Sequence, residues 1–174
     1  MANIKVVVTG PFNVGKTEFV RTISDIPIVT TERRITDELQ ATKEETTVAM
    51  DYGHVKIGDD MFHLHGTPGQ PRFDFMWDIL STEMDAFIVL IDSGNRDTLL
   101  EAKRLLRTFR RLSRKRSVPY LVVANKQDVE NAMEIERIAK ALGLKDIPVV
   151  PCVATEKSSV RKVLETLKTL IPAE

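Results

Sequence analysis

The chain has 174 residues, 43% hydrophobic and 29% charged, which suits one compact domain over residues 1–174; eight Gly and eight Pro are too few for a low-complexity or collagen-like chain. Its 25 Lys and Arg balance 25 Asp and Glu, so no net field gathers a polyanion and nucleic acid is not an expected partner. The single cysteine, Cys152, excludes an internal disulfide and a multi-cysteine metal site within the chain, and a reducing, cytoplasmic address follows.

Short β-branched runs alternate with longer segments of helical period, the pattern of a mainly parallel sheet covered by helices. Ile4 to Thr9 reads as a first buried strand. Directly after it, Gly10-Pro11-Phe12-Asn13-Val14-Gly15-Lys16-Thr17 matches G-x-x-x-x-G-K-[ST] between a strand and a helix. Glycines let backbone N–H groups curl around an anion, and the helix that follows adds its positive N-terminus. Lys16 then reaches the β- and γ-phosphate oxygens, and the Thr17 hydroxyl binds Mg²⁺. This loop predicts nucleoside triphosphate binding and leaves kinases, ATPases and GTPases open.

The stretch from Asp25 to Thr46 is polar and weakly periodic, and it reads as a long mobile functional loop. Val48–Ile57 and Met61–His65 are too close for a crossover, so they predict a hairpin and one strand running against the rest. One register of that hairpin sets His54 opposite His65; ordinary strand histidines are a better reading than a metal site. Phe73, Phe75, Met76 and Trp77 crowd one segment, where those not facing the core offer an effector surface.

Phe87–Ile91, Tyr120–Ala124 and Ile147–Val150 predict three further parallel strands. Lys103 to Arg116 holds eight basic residues and no acidic one along an apolar-faced helix, a solvated basic face or a dock for an acidic partner or anionic lipid. Asn131 and Glu134 predict a capping box before a helix ending at Gly143, and Val160 to Ile171 predict a closing helix. No apolar run reaches the roughly 18 residues that span a bilayer, and neither end carries a lipidation signal, so no intrinsic membrane anchor is expected.

Asn125-Lys126-Gln127-Asp128 follows the Tyr120–Ala124 strand, at the same end of the sheet as the phosphate loop. The Asp128 carboxylate can accept from N1–H and the exocyclic amine of guanine, whereas adenine would leave it desolvated and unpaired. Lys126 can lie over the base, and Asn125 can tie this loop to the phosphate loop.

With Gly66-Thr67-Pro68-Gly69-Gln70, these motifs resemble the Ras-type small GTPases over essentially the whole chain. The wording Thr46-Thr47-Val48-Ala49-Met50-Asp51-Tyr52-Gly53 and Thr67-Pro68-Gly69-Gln70-Pro71-Arg72-Phe73 is most similar to the prokaryotic gliding-motility (Mgl-like) branch. The resemblance implies an α/β P-loop GTPase fold: a six-stranded, mostly parallel sheet with one antiparallel strand and about five helices. It also implies GTP and GDP as ligands with Mg²⁺, and slow hydrolysis.

Residue by residue, it implies that Thr17 and Thr47 bind Mg²⁺ and that Gly69 senses the γ-phosphate. Gln70 orients the attacking water, with Lys16 and Thr47 as its catalytic partners. Gly10, Asn13, Val14, Gly15, Lys16, Thr17, Asn125, Lys126, Asp128, Val153 and Ala154 contact nucleotide, the Ala154 N–H reading the guanine oxygen. The first switch falls at Asp25–Thr47 and the second at Gly66–Leu80. Activating proteins, roadblock- or longin-type regulators and effectors are the implied partners.

Two residues depart from the pattern. Gly66 stands where D-x-x-G begins with an aspartate that holds a water on Mg²⁺, and Asp51 is a candidate substitute. Phe12 adds bulk where glycine is common, which leaves a catalytically poor guanine-nucleotide scaffold as the alternative function. Arg33, Arg34 and Arg72 are candidates to neutralise developing charge, with a solvated arginine the plainer reading of each.

Overall fold

The computed structural model describes residues 1–36, 45–68, 81–114 and 116–173, with the backbone alone at 31–36 and 45–49. Among these residues are seven strands: β1 (Asn3–Thr9), β2 (Val29–Thr36), β3 (Glu45–Ile57), β4 (Asp60–Gly66), β5 (Ala86–Asp92), β6 (Tyr120–Asn125) and β7 (Val149–Pro151). Four helices accompany them: α1 (Lys16–Ile23), α2 (Thr98–Ser113), α3 (Ile135–Leu142) and α4 (Lys157–Leu170).

The strands form one sheet in the order β2-β3-β4-β1-β5-β6-β7. β3 runs antiparallel to both β2 and β4, and the other pairings are parallel. The expected single antiparallel strand is therefore present. The sheet has seven strands rather than six because Asp25–Thr46, expected as a loop, contains β2. Val29–Thr36 pairs residue for residue with Tyr52–Glu45 of β3, so this part of the expected loop satisfies its backbone polar groups in a ladder.

The β3–β4 register also differs from the one considered from sequence. The turn falls on Gly58-Asp59, with Gly58 at φ 61°, and Ile57 pairs with Asp60. That sets His63, not His65, opposite His54, and brings Asp51 opposite Gly66. Among the described residues no group of three or more His, Cys, Asp or Glu is placed to hold a metal.

Two apolar layers flank the sheet. Phe19, Val20 and Ile23 of α1 and Val160, Val163, Leu164 and Leu167 of α4 pack on one face against Val6, Val8, Leu64 and Ile88. Ala102, Leu105, Leu106 and Phe109 of α2 and Ile138 of α3 cover the other, against Val7, Phe87, Val89 and Val122. The predicted periodicities of α2 and α4 thus meet the core as expected.

At α3 the expected capping box does not form. The N-cap is Glu134, which makes no side-chain cap, and the helix starts at Ile135; Gly143 ends it in the left-handed region at φ 67°. No helix among the described residues is long and apolar enough to cross a membrane.

Candidate functional site

β1, β5 and β6 run parallel and end on the same side of the sheet, and the loops that follow β1 and β6 meet there. The phosphate loop turns from β1 into α1 through residues 10–15. A Cβ at Gly10 would lie 2.6 Å from the Leu90 carbonyl oxygen. Gly15 sits at φ 102°, and a Cβ there would lie 2.6 Å from Asn125 Nδ2. Both motif glycines therefore answer a close approach by a neighbouring strand or loop.

Gly15 is also the N-cap of α1 and brings no side chain to its free N–H groups. A helix start of this kind lacks acceptors and favours an anion. Lys16 is buried, and its Nζ donates to the carbonyls of Gly10 at 2.6 Å and Pro11 at 2.8 Å. Burial lowers its pKa to about 8, against the opposing pull of Asp51 and Glu101. A cation held dry by neutral carbonyls fits a phosphate as its missing counter-charge.

A cleft of about 470 Å³ opens beside this loop, lined among others by Asn13, Lys16, Thr17, Asp51, Thr67 and Lys126. Phe12, 60% exposed, forms part of its wall. A larger cleft of about 550 Å³, at the opposite end of the sheet beside Met84 and Lys168, carries no phosphate loop.

The base-side loop is tied to the phosphate loop at two points. Asn125, buried at the end of β6, donates from Nδ2 to the Val14 carbonyl at 2.8 Å, and its Oδ1 accepts from the Ala154 N–H at 3.0 Å. Lys126, at φ 61°, donates from Nζ to the Asn13 carbonyl at 2.9 Å and pairs with Asp92 Oδ2 at 2.8 Å. Asp128 is exposed at the tip of the same loop.

Behind it, Gln127 Nε2 donates to Ser93 Oγ at 2.7 Å and to the Met133 carbonyl at 3.2 Å. The Val153 N–H donates to Ser159 Oγ at 2.9 Å, so the Val153–Ala154 turn is held from both sides. Cys152 beside it is buried, and burial pushes its thiol pKa up, away from nucleophile chemistry.

Asp92, Ser93 and Ser159 were not singled out from the sequence. Asp92 ends an apolar strand in register with Asn125; a lone carboxylate at that position is the signal that could have found it.

At the start of α1, Thr17 Oγ1 donates to Asp51 Oδ2 at 2.5 Å, and Thr30 Oγ1 donates to Asp51 Oδ1 at 3.2 Å. Thr67 is buried and donates to Thr9 Oγ1 at 3.0 Å, which ties the residue after β4 to the end of β1. Thr47 lies in β3 with its backbone paired to Arg34. At four residues from Asp51 it stands about 13 Å along the strand. The structure therefore brings Thr17 and Asp51 together and leaves Thr47 apart. Gly69, Gln70, Arg72, Phe73, Phe75, Met76 and Trp77 lie outside the described residues.

A phosphate loop on β1, joined through Asn125 and Lys126 to a base-side loop on β6, defines a P-loop nucleotide-binding protein of the small-GTPase class. The ADP-ribosylation factor family model matches residues 2–171, and the chain belongs to that family. It is 29% identical over 167 residues to ADP-ribosylation factor-related protein 1 of Bos taurus, covering 92% of this chain and 81% of that protein. ADP-ribosylation factor-like protein 4A of Homo sapiens is 31% identical over 86 residues, 49% of this chain and 43% of the relative.

Among solved structures, the Arl6 BBS3 small GTPase of Trypanosoma brucei, there bound to the nucleotide analogue GppNp, shares the fold. Its TM-score is 0.75 at 21% identity, over 96% of each chain. The similarity to the Mgl-like branch is not supported. It rested on two short stretches around β3 and the second switch, whereas the family match runs nearly end to end.

Proposed function

We propose that this protein is a molecular switch that binds Mg²⁺·GTP, hydrolyses it slowly to GDP and phosphate, and changes its partner contacts with the bound nucleotide. The observation that carries the reading is the pair of ties from Asn125 to Val14 and Ala154, which make two distant motifs one site. Gly10, Asn13, Val14, Gly15 and Lys16 hold the phosphates, Thr17 holds Mg²⁺, and Lys126, Asp128, Val153 and Ala154 hold guanine. The Ala154 N–H is already engaged by Asn125, so a base oxygen shares it. Mg²⁺ neutralises phosphate charge when bound.

Gln70 orients the attacking water, with Lys16 and Thr47 stabilising the charge that develops. Thr47 reaches the nucleotide only when its pairing with Arg34 is given up, so β2 and β3 rearrange between the two states. Gly69 senses the γ-phosphate. The surface so changed is read by activating proteins, roadblock- or longin-type regulators and effectors, in the cytoplasm.

Displacement of a fluorescent guanine nucleotide by GDP, with ADP far weaker, is the expected result for the base; equal displacement overturns it. In single turnover, Gln70→Leu is expected to slow hydrolysis. A parent no faster than this variant, alone or with candidate activators, favours an inert guanine-nucleotide scaffold. The exposed Phe12 on the wall of the cleft is the feature that keeps that second reading in play.

A further inference from the structure

β4 ends at Gly66, where the small-GTPase pattern has a carboxylate, and the neighbouring strand supplies one. Asp51 of β3 is the direct cross-strand partner of Gly66. A Cβ built on Gly66 would lie 3.3 Å from Asp51 Cβ and 3.7 Å from Asp51 Oδ2. The space into which a side chain would leave β4 is therefore bordered by the side chain that β3 provides, and the absence of a side chain at Gly66 leaves Asp51 its room.

The chemistry of Thr17 points the same way. A hydroxyl that offers a lone pair to a hard cation keeps its proton, and that proton needs an acceptor. Asp51 Oδ2 is that acceptor, 2.5 Å from the hydroxyl of Thr17, the residue that follows the buried Lys16. Its other oxygen accepts from Thr30, which fixes the carboxylate's orientation from β2.

We infer that Asp51, carried by β3, does the work of the absent β4 aspartate and supports Mg²⁺ at Thr17. The inference rests on the proposed guanine-nucleotide site, and it adds a consequence of its own. The carboxylate stands on the strand that pairs directly with the first switch, and it is hydrogen-bonded to β2, so metal support and the position of β2 are linked through one side chain.

The test is the release of fluorescent GDP from the full chain, followed as a function of free Mg²⁺, with binding of Mn²⁺ to the GDP complex measured by electron paramagnetic resonance. Asp51→Asn keeps the shape of the side chain and removes its charge. It is expected to raise the Mg²⁺ needed for half-maximal GDP retention by about 10–100-fold and to weaken Mn²⁺ binding to match. Retention in excess chelator should stay near the parent's.

The exchange variant Asp51→Gly with Gly66→Asp moves the carboxylate to β4 and is expected to restore most of the Mg²⁺ dependence; it also serves if Asp51→Asn does not fold. Unchanged Mg²⁺ and Mn²⁺ dependence in a folded Asp51→Asn that still binds GDP overturns this inference alone. A parent that binds no guanine nucleotide, with or without metal, overturns the site and this inference with it.

Discussion

Lys16 is a buried ammonium whose partners are two carbonyls of its own loop. Burial has already brought its pKa to about 8, so phosphate oxygens, which favour the cation, must raise that value on binding. Proton uptake therefore accompanies nucleotide binding around and above pH 8. Affinity is full below the free protein's pKa and falls as pH rises through it, by up to about tenfold per pH unit. Titration calorimetry of GDP binding in buffers of different ionisation enthalpy checks this, and Lys16→Met, weak throughout, should lack the step.

At this scale the sequence was legible where one contiguous motif sets its own geometry. Gly10, Gly15, Lys16 and Asn125 could each be assigned from spacing, because backbone shape and one short reach fix what they touch. Asp51 could only be a candidate. Its placement depends on whether the hairpin turns on Gly58-Asp59 or one residue later, and that choice decides which residue of β4 it faces.

Among the elements, the β3–β4 hairpin is held at both ends by groups far away in the chain. At the turn, Lys168 of α4 donates to the Ile57 carbonyl at 3.1 Å and pairs with Asp60 Oδ2 at 2.8 Å; Asp60 Oδ1 accepts from the Ala2 N–H at 2.9 Å. At the other end Asp51 meets Thr17 and Thr30. Lys168→Met removes the clamp at the turn while keeping most of the apolar stem. Amide exchange at residues 58–61 is expected to quicken, with the α4 amides unchanged, and hydrogen-exchange mass spectrometry resolves the two segments.

The hairpin itself was readable from the short gap between its strands. β2 was not, because the charged run Glu32-Arg33-Arg34 interrupts its β-branched residues and leaves no apolar alternation; pairing with β3 makes it a strand. Tertiary context of that kind leaves no periodic trace in a single segment.

For the molecule as a whole, the β3–β4 face contains two histidines, His63 and His65, whose burial disfavours protonation. Tyr52 lies within 5.1 Å of His65 and 6.2 Å of His63, ring centre to ring centre, and the Tyr52 hydroxyl and His63 Nδ1 are 2.7 Å apart. Burial, with Lys5 and His63 adding to it, pushes His65 down to about 4. The folded chain thus refuses a proton that the unfolded chain accepts below its ordinary value of 6.5. Stability is lost as pH falls from 6.5 towards 4, by on the order of 2 kcal/mol after solvent screening. Thermal unfolding across that range should show a shallower acid limb in His65→Gln than in the parent.

The lone thiol of Cys152 lies at the seam between β6 and the Val153–Ala154 turn, 1% exposed and one residue from the Val153 N–H that Ser159 fastens. An alkylating reagent reaches it only when that seam parts. The chain thereby contains one natural stopwatch for the breathing of the proposed base pocket, readable by mass on the unaltered sequence and expected to slow when nucleotide fills it.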